Sequence, residues 1–344
     1  GLLLSYNFLK NQRNVTTIQK NTFWQNLRFF TKQVFHRYLR LTPLYLFVIG
    51  VTEISTAYLN ETSPFWIEDR NDLMCQNYWW RNVLYIQNLF PVKEFCLNWT
   101  WSMACEMQFF IIFTFLLFAY AKYAELIKKV FLSLFVAFAV IIYYIAYKTK
   151  FQPAYDVMHD LGDDMYTSPW TRILPYLIGV GSGWFLLHHK HTLNIDKKLT
   201  KYIYLAAASI IVACHCSAIN RALSYKFVAP LITLIRIFYS GSTVWIVLAS
   251  TSENGAAITK WLNHRIFVHL NKLSYGIYLL NPVVVALVYG LKNHSDHFDP
   301  ITFSIMSIGV SVIVYLLAFV CSLLFEVPYN KISALVKSYK KKAM

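Results

Sequence analysis

Cys96-Leu97-Asn98-Trp99-Thr100-Trp101-Ser102-Met103-Ala104-Cys105-Glu106-Met107-Gln108-Phe109-Phe110 is the stretch that decides the fold. It begins as a polar, cysteine-bearing loop and runs without a break into apolar residues as far as Tyr120. An apolar run of about 20 residues is the length a helix needs to cross a bilayer core. One carboxylate, Glu106, lies inside that run. A charge at membrane depth costs about 2.5–3.5 kcal/mol or more, so Glu106 is a functional-site candidate by default.

The rest of the chain agrees with a membrane reading. Of 344 residues, 57% are hydrophobic and 14% charged, against about 25% charged in soluble domains. Backbone groups in lipid must pair within their own segment, so the expected fold is an all-α polytopic helix bundle. Apolar runs occur at about 41–59, 100–121, 129–147, 172–188, 201–217, 228–250, 273–291 and 300–325, giving eight full spans. Gly1 to Leu9 is apolar but only half a span long, and it has neither the basic region nor the cleavage site of a signal peptide. The expectation is a partial first span, within a single transmembrane domain over 1–344 that lacks its first helix. No internal repeat or low-complexity linker divides it.

Charge sets the orientation. The segments 10–40, 122–129, 188–201, 251–272 and 326–344 hold 22 of the 32 Lys and Arg and four acids. The alternate segments hold 9 Lys and Arg and eleven acids. By the positive-inside rule the first set, with the carboxyl terminus, is cytoplasmic. The net charge of +15 is therefore a membrane signature, and no soluble basic domain remains to bind nucleic acid. On the other side lie the sequons at Asn60, Asn98 and Asn293, of which Asn60 is the expected glycosylation site. Cys75 and Cys96 share the 60–99 loop there, in an oxidising compartment, and are expected to form a disulfide.

Several charges fall within spans: Glu53, Glu106, Arg172 near an outer end, and Arg236. Acids and bases at similar depth can neutralise one another, which points to a polar cavity in the outer half of the bundle. At the cytoplasmic mouth of a span, Arg37 and Arg40 lie on one helix face, a fork suited to phosphate, and from spacing alone ordinary positive-inside anchoring by lipid phosphate explains them as well. Pro43 is read as tolerated in the first turn of that span. Asn281-Pro282 marks a bend near a midplane. Gly179-Val180-Gly181-Ser182-Gly183 lies in an apolar helix and reads as small-residue helix packing. Cys214-His215-Cys216 alternates around a helix, and His188, His189 and His191 have no carboxylate or cysteine nearby in the sequence, so no metal is expected. His215 is kept as a minor acid/base candidate.

Taken together, the stretches resemble the membrane acyltransferase type 3 family, in its animal nose-resistant-to-fluoxetine branch. The matching segments are collinear: Phe35 to Tyr45 with its Arg37-Tyr38-Leu39-Arg40-Leu41-Thr42-Pro43, Cys75 to Asn88 with its Trp79-Trp80 pair, Cys96 to Phe110, Tyr166 to Gly179, Leu273 to Leu280, and Phe325-Glu326-Val327-Pro328. The resemblance implies about ten spans of about 20 residues each in the complete domain. It also implies transfer of an acyl group from cytoplasmic acyl-CoA, a co-substrate and not a resident cofactor, to a lipid, sugar or small-molecule acceptor. It places Arg37 and Arg40 at the donor. The family's catalytic histidine would lie upstream of Gly1, leaving Glu106, Arg172 and Arg236 in supporting roles near the acceptor path. Asn281 stands where many relatives carry a histidine or a small residue, which argues against an acid/base role there. The alternative is a non-enzymatic lipid or small-molecule transporter using the same cavity. The expected setting is the plasma membrane or an endomembrane.

Overall fold

The computed structural model describes residues 1–67, 69–152, 162–188, 196–216, 224–250, 260, 263–294 and 299–342. Among these it is 88% helical and has no strands. The helices are α1 (Leu2–Lys10), α2 (Gln12–Lys20), α3 (Phe23–Thr62), α4 (Asn71–Val83), α5 (Trp101–Lys122), α6 (Ala124–Lys148), α7 (Pro169–His188), α8 (Lys197–Cys216), α9 (Tyr225–Ser250), α10 (Arg265–Gly290), α11 (Pro300–Cys321) and α12 (Val327–Lys342).

Over the described residues each apolar run lies on one of these helices, the last continuing from α11 into a π-helical turn, Ser322–Glu326. Six segments are long and apolar enough to cross a membrane: Phe23–Thr62, Asn98–Lys122, Ala124–Lys148, Tyr225–Ser250, Arg265–Gly290 and Pro300–Leu335. α7 and α8, each 20 residues long, hold the other two runs. Exposed side chains confirm the solvent these helices meet. On α6, Leu132, Val136, Val140 and Tyr144 recur every fourth residue with more than half of their surface exposed. On α11, Ile301, Ile305, Ile308, Val312 and Leu316 recur every third or fourth residue, again with more than half of their surface exposed. Continuous apolar stripes of this kind are a liability in water and the normal surface of a helix in lipid. The protein is an integral, multi-pass membrane protein.

The chain forms two compact units. The first comprises 1–34, 88–92 and 102–263. Its tightest junction is α1 on α7. Gly179 and Gly183, four residues apart on α7, bring the two backbones into contact. A Cβ on Gly183 would sit 2.5 Å from the Leu2 carbonyl oxygen, and one on Gly179 would sit 3.0 Å from the Leu2 nitrogen. Ser5 Oγ donates to the Val180 carbonyl across the junction at 2.9 Å. The glycine run is thus a packing face, as its sequence context suggests. Gly183→Val is expected to lower the thermal midpoint of the purified protein, because overpacking against backbone costs about 1–3 kcal/mol or more. Gly181→Ala should leave it unchanged, since that Cβ would meet only the Phe131 ring at 3.6 Å. A second cluster, Phe8, Leu9, Ile18, Leu117, Phe118 and Ala121, closes the unit where α2 and the start of α3 meet the end of α5.

The second unit comprises 35–87, 93–101 and 264–344. Two features depart from the sequence reading. First, α3 is one continuous helix of 40 residues, so Pro43 lies in its middle and not in a first turn. The basic segment 23–40 continues the span as helix. The proline removes the amide that would bond the Leu39 carbonyl. Second, 60–99 is not a loop lying beyond one helix end. Asn60 Nδ2 donates to Asp72 Oδ1 at 3.2 Å, Asn82 Nδ2 donates to Tyr45 OH at 2.9 Å, and Tyr85 OH meets Thr42 Oγ1 at 3.3 Å. The partners on α3 run backwards from 60 to 42, about 27 Å at 1.5 Å per residue. The segment therefore returns antiparallel along α3.

The turn that ends α4 uses an unusual residue. Ile86 N–H bonds the Arg81 carbonyl and Tyr85 N–H bonds that of Asn82, with Tyr85 at φ 57°. This is a helix stop that normally takes glycine. Tyr85 is held there by its ring, which is 2% exposed and packs against Tyr45 and Tyr38. Cys75 of α4 is bonded to Cys96, as the sequence led us to expect. At the start of α4, the Arg70 guanidinium at 2.9 Å holds the Asp72 carboxyl below its ordinary value of 3.8. Asn60 is half-buried in the last turn of α3, with its amide donated to that same carboxylate.

Candidate functional site

In the first unit the polar residues gather around a short π-helical turn, Gly162–Thr167, which ends at Ser168-Pro169. The end of any helix leaves carbonyls without intrahelical partners, and they carry partial negative charge. Here three consecutive carbonyls accept from three side chains of the site. Arg236 of α9 donates to Met165 O at 2.8 Å and also to Thr171 O. Arg172 of α7 donates through Nε to Tyr166 O at 2.7 Å, with its guanidinium 4.7 Å from the Tyr166 ring centre. Cys105 Sγ of α5 lies 3.7 Å from Thr167 O. Thr171 Oγ1 adds a bond to Met165 O at 3.2 Å. The sequence led us to expect carboxylates to neutralise these arginines. In the structure both guanidiniums also donate to backbone carbonyls.

Arg172 and Arg236 are close enough to act on each other electrostatically, and the charges of Arg172 and Glu106 both reach Cys105. Three of the residues singled out in the sequence, Glu106, Arg172 and Arg236, thus surround one locus. Glu106 is exposed on α5, and the two arginines are half-buried. Sequence reasoning missed the amides beside them. Asn88 and Gln108 exchange hydrogen bonds, Gln108 Nε2 to Asn88 Oδ1 at 2.7 Å and Asn88 Nδ2 to Gln108 Oε1 at 3.2 Å. Asn88 Nδ2 also donates to Cys105 Sγ at 3.2 Å. Gln108 sits three residues after Cys105, on the same face of α5. That i, i+3 spacing was the available signal.

The second unit carries Arg37 and Arg40. They lie one turn apart on α3, Arg37 half-buried and Arg40 exposed. The turn that bears them is clamped on both sides. Tyr275 of α10 donates to Leu41 O at 2.7 Å, and Tyr329 of α12 donates to His36 O at 2.8 Å. His36 Nε2 is 3.1 Å from Ser333 Oγ. The Arg40 charge acts on both phenols, and Glu326 is a further neighbour of Tyr275. A planar guanidinium on a fixed turn, with phenols beside it, can grip a phosphate without first losing freedom. Behind this face Tyr45 OH accepts from Asn82 and Gln87 and donates to Thr100 Oγ1 at 2.6 Å, a buried relay that pins the returning segment. Asn281 is exposed, on a shallow depression with Ser307, Ser311 and Tyr315. His189 and His191 lie outside the described residues, as does the side chain of His215.

The family described as "Acyltransferase domain" matches residues 6–327. The chain is 28% identical over 341 residues to Nose resistant to fluoxetine protein 6 of Caenorhabditis elegans, a match that takes in 89% of this chain and 40% of that protein. The chain therefore spans well under half the length of that curated relative. No solved structure matches.

Proposed function

Because this chain belongs to the type 3 acyltransferase family, we propose that it transfers an acyl group from acyl-CoA to a hydroxyl-bearing lipid, sugar or small-molecule acceptor. The acceptor oxygen attacks the thioester carbonyl. A C–O bond forms and the C–S bond breaks. The acceptor proton passes to a base and finishes on the coenzyme A sulfur. Such a reaction needs donors fixed where negative charge develops.

The observation that supports an acyl-CoA donor is the clamped turn of Arg37 and Arg40, braced by Tyr275 and Tyr329. The two guanidiniums bind the coenzyme's phosphates. Glu106, Arg172 and Arg236 act on the acceptor side, where Arg172 and Arg236 hold the π-helical turn and Glu106 orients the acceptor. The excess of Lys and Arg on one set of segments supports a cytoplasmic carboxyl terminus, on the side where acyl-CoA resides.

The test is titration of purified full-length protein with acyl-CoA, followed by incubation of membranes with label on the acyl group. Arg40→Ala should weaken acyl-CoA binding about 10- to 100-fold, the value of one charge-assisted hydrogen bond. Unchanged affinity would remove Arg40 from the donor site. Label that never leaves coenzyme A would favour transport over transfer.

A further inference from the structure

The first unit contains a cavity of about 470 Å³ that the acyl-transfer reading does not use. Its walls come from α1, α5, α6 and α7, and they are almost wholly apolar, with Phe113, Leu117, Phe131 and Phe185 among them. Its polarity is one-sided. At one end stand Lys128, Tyr120 and Trp184, where Trp184 Nε1 donates to Tyr120 OH at 2.8 Å and the Lys128 ammonium lies 5.9 Å from the Trp184 ring. At the other end Ser5 has spent its hydroxyl on Val180 O. From Phe113 to Tyr120 the wall runs about 10 Å along α5.

We propose that this cavity binds a long-chain fatty acid anion, with its carboxylate on Lys128 and its chain against Phe113 and Gly181. The volume falls in the range of about 300–1,000 Å³ typical of sites for one small ligand. Among the described lining residues there is one cation, Lys128, and the Ser5 hydroxyl is bonded to Val180 O, which fits one charged head and one chain. Lys128 is bonded to Glu125 at 2.6 Å, but Glu125 is 81% exposed. An exposed pair of this kind exchanges partners at little cost. Gly181 leaves part of the chain's volume open, because a Cβ there would meet nothing nearer than the Phe131 ring at 3.6 Å.

The experiment measures saturable binding of radiolabelled palmitate, and separately of hexadecanol, to the full chain in nanodiscs of neutral phospholipid. Wild type should bind palmitate saturably. Gly181→Leu fills the cavity and should weaken palmitate about tenfold, the value of excluding about two methylenes. Gly241→Leu is the control, since Gly241 has open space around it. Lys128→Gln changes an exposed side chain and should weaken palmitate about three- to fivefold while leaving hexadecanol unchanged. Equal palmitate binding in wild type and Gly181→Leu would show partition into lipid only and overturn the site. Equal loss of palmitate and hexadecanol in Lys128→Gln would overturn the assigned orientation. Displacement of palmitate by an equimolar two-chain anionic phospholipid would overturn the single-chain assignment.

Discussion

Arg236→Met is expected to lower acyl transfer about a hundredfold or more while the protein still inserts into membranes. The reason lies in what the guanidinium holds. It bonds the carbonyls of Met165 and Thr171, on either side of the break between the π-helical turn and α7. Methionine matches the volume and removes both donors. Each charge-assisted bond is worth about 1.5–3 kcal/mol, and Met165 O keeps the Thr171 hydroxyl as a partner, so the loss is that of the two guanidinium bonds. The turn that also accepts from Arg172 and Cys105 would lose its fixed position. Arg236→Lys should fall between wild type and Arg236→Met, because an ammonium is a point donor that cannot reproduce the planar fork. The measurement is single-turnover transfer at saturating acyl-CoA, with donor binding titrated in parallel. Unchanged donor affinity with lost transfer is the expected pair of results. Normal transfer by Arg236→Met would take Arg236 out of the site.

Cys75→Ser combined with Cys96→Ser should destabilise the protein by about 3 kcal/mol, from the chain entropy released when a loop of this length is opened. The two cysteines are separated by 21 residues. The bond ties α4 to the strap leading into α5, between the buried Tyr45 relay and the Asn60–Asp72 contact. A lower midpoint on heating the double variant in detergent, matched by wild type under reductant, would bear this out. No shift in either would mean that the Tyr45 relay holds the returning segment without the bond.

Much of the fold is legible from local chemistry. A run of about 20 apolar residues must be a helix in lipid, since its backbone groups have no other partners. Six of the eight runs meet that criterion as folded helices. The glycine spacing in α7 announces a close helix contact, and two cysteines in one loop announce a bond. What the sequence hides is the course of 60–99. A polar segment rich in Asn, Gln and Trp reads as an exposed connection. Its return along α3 depends on Asn82 and Gln87 finding Tyr45, partners 37 and 42 residues away. The stop at Tyr85 carries no glycine to signal it.

Glu106 shows the same division at the site. Its type and its place in an apolar run mark it as a functional candidate from the sequence alone, and the collinear motifs around it identify the family. Membrane character, helix positions and the disulfide pair follow from composition, periodicity and topology, because each depends on residues near in the chain or on the solvent they meet. Which backbone groups accept from Arg172 and Arg236 is decided only in the tertiary structure. Carboxylates can be counted in a sequence, but carbonyls are present at every residue. Only folding brings the end of the π-helical turn, with Met165 and Tyr166, and the first turn of α7, with Thr171, to the guanidiniums.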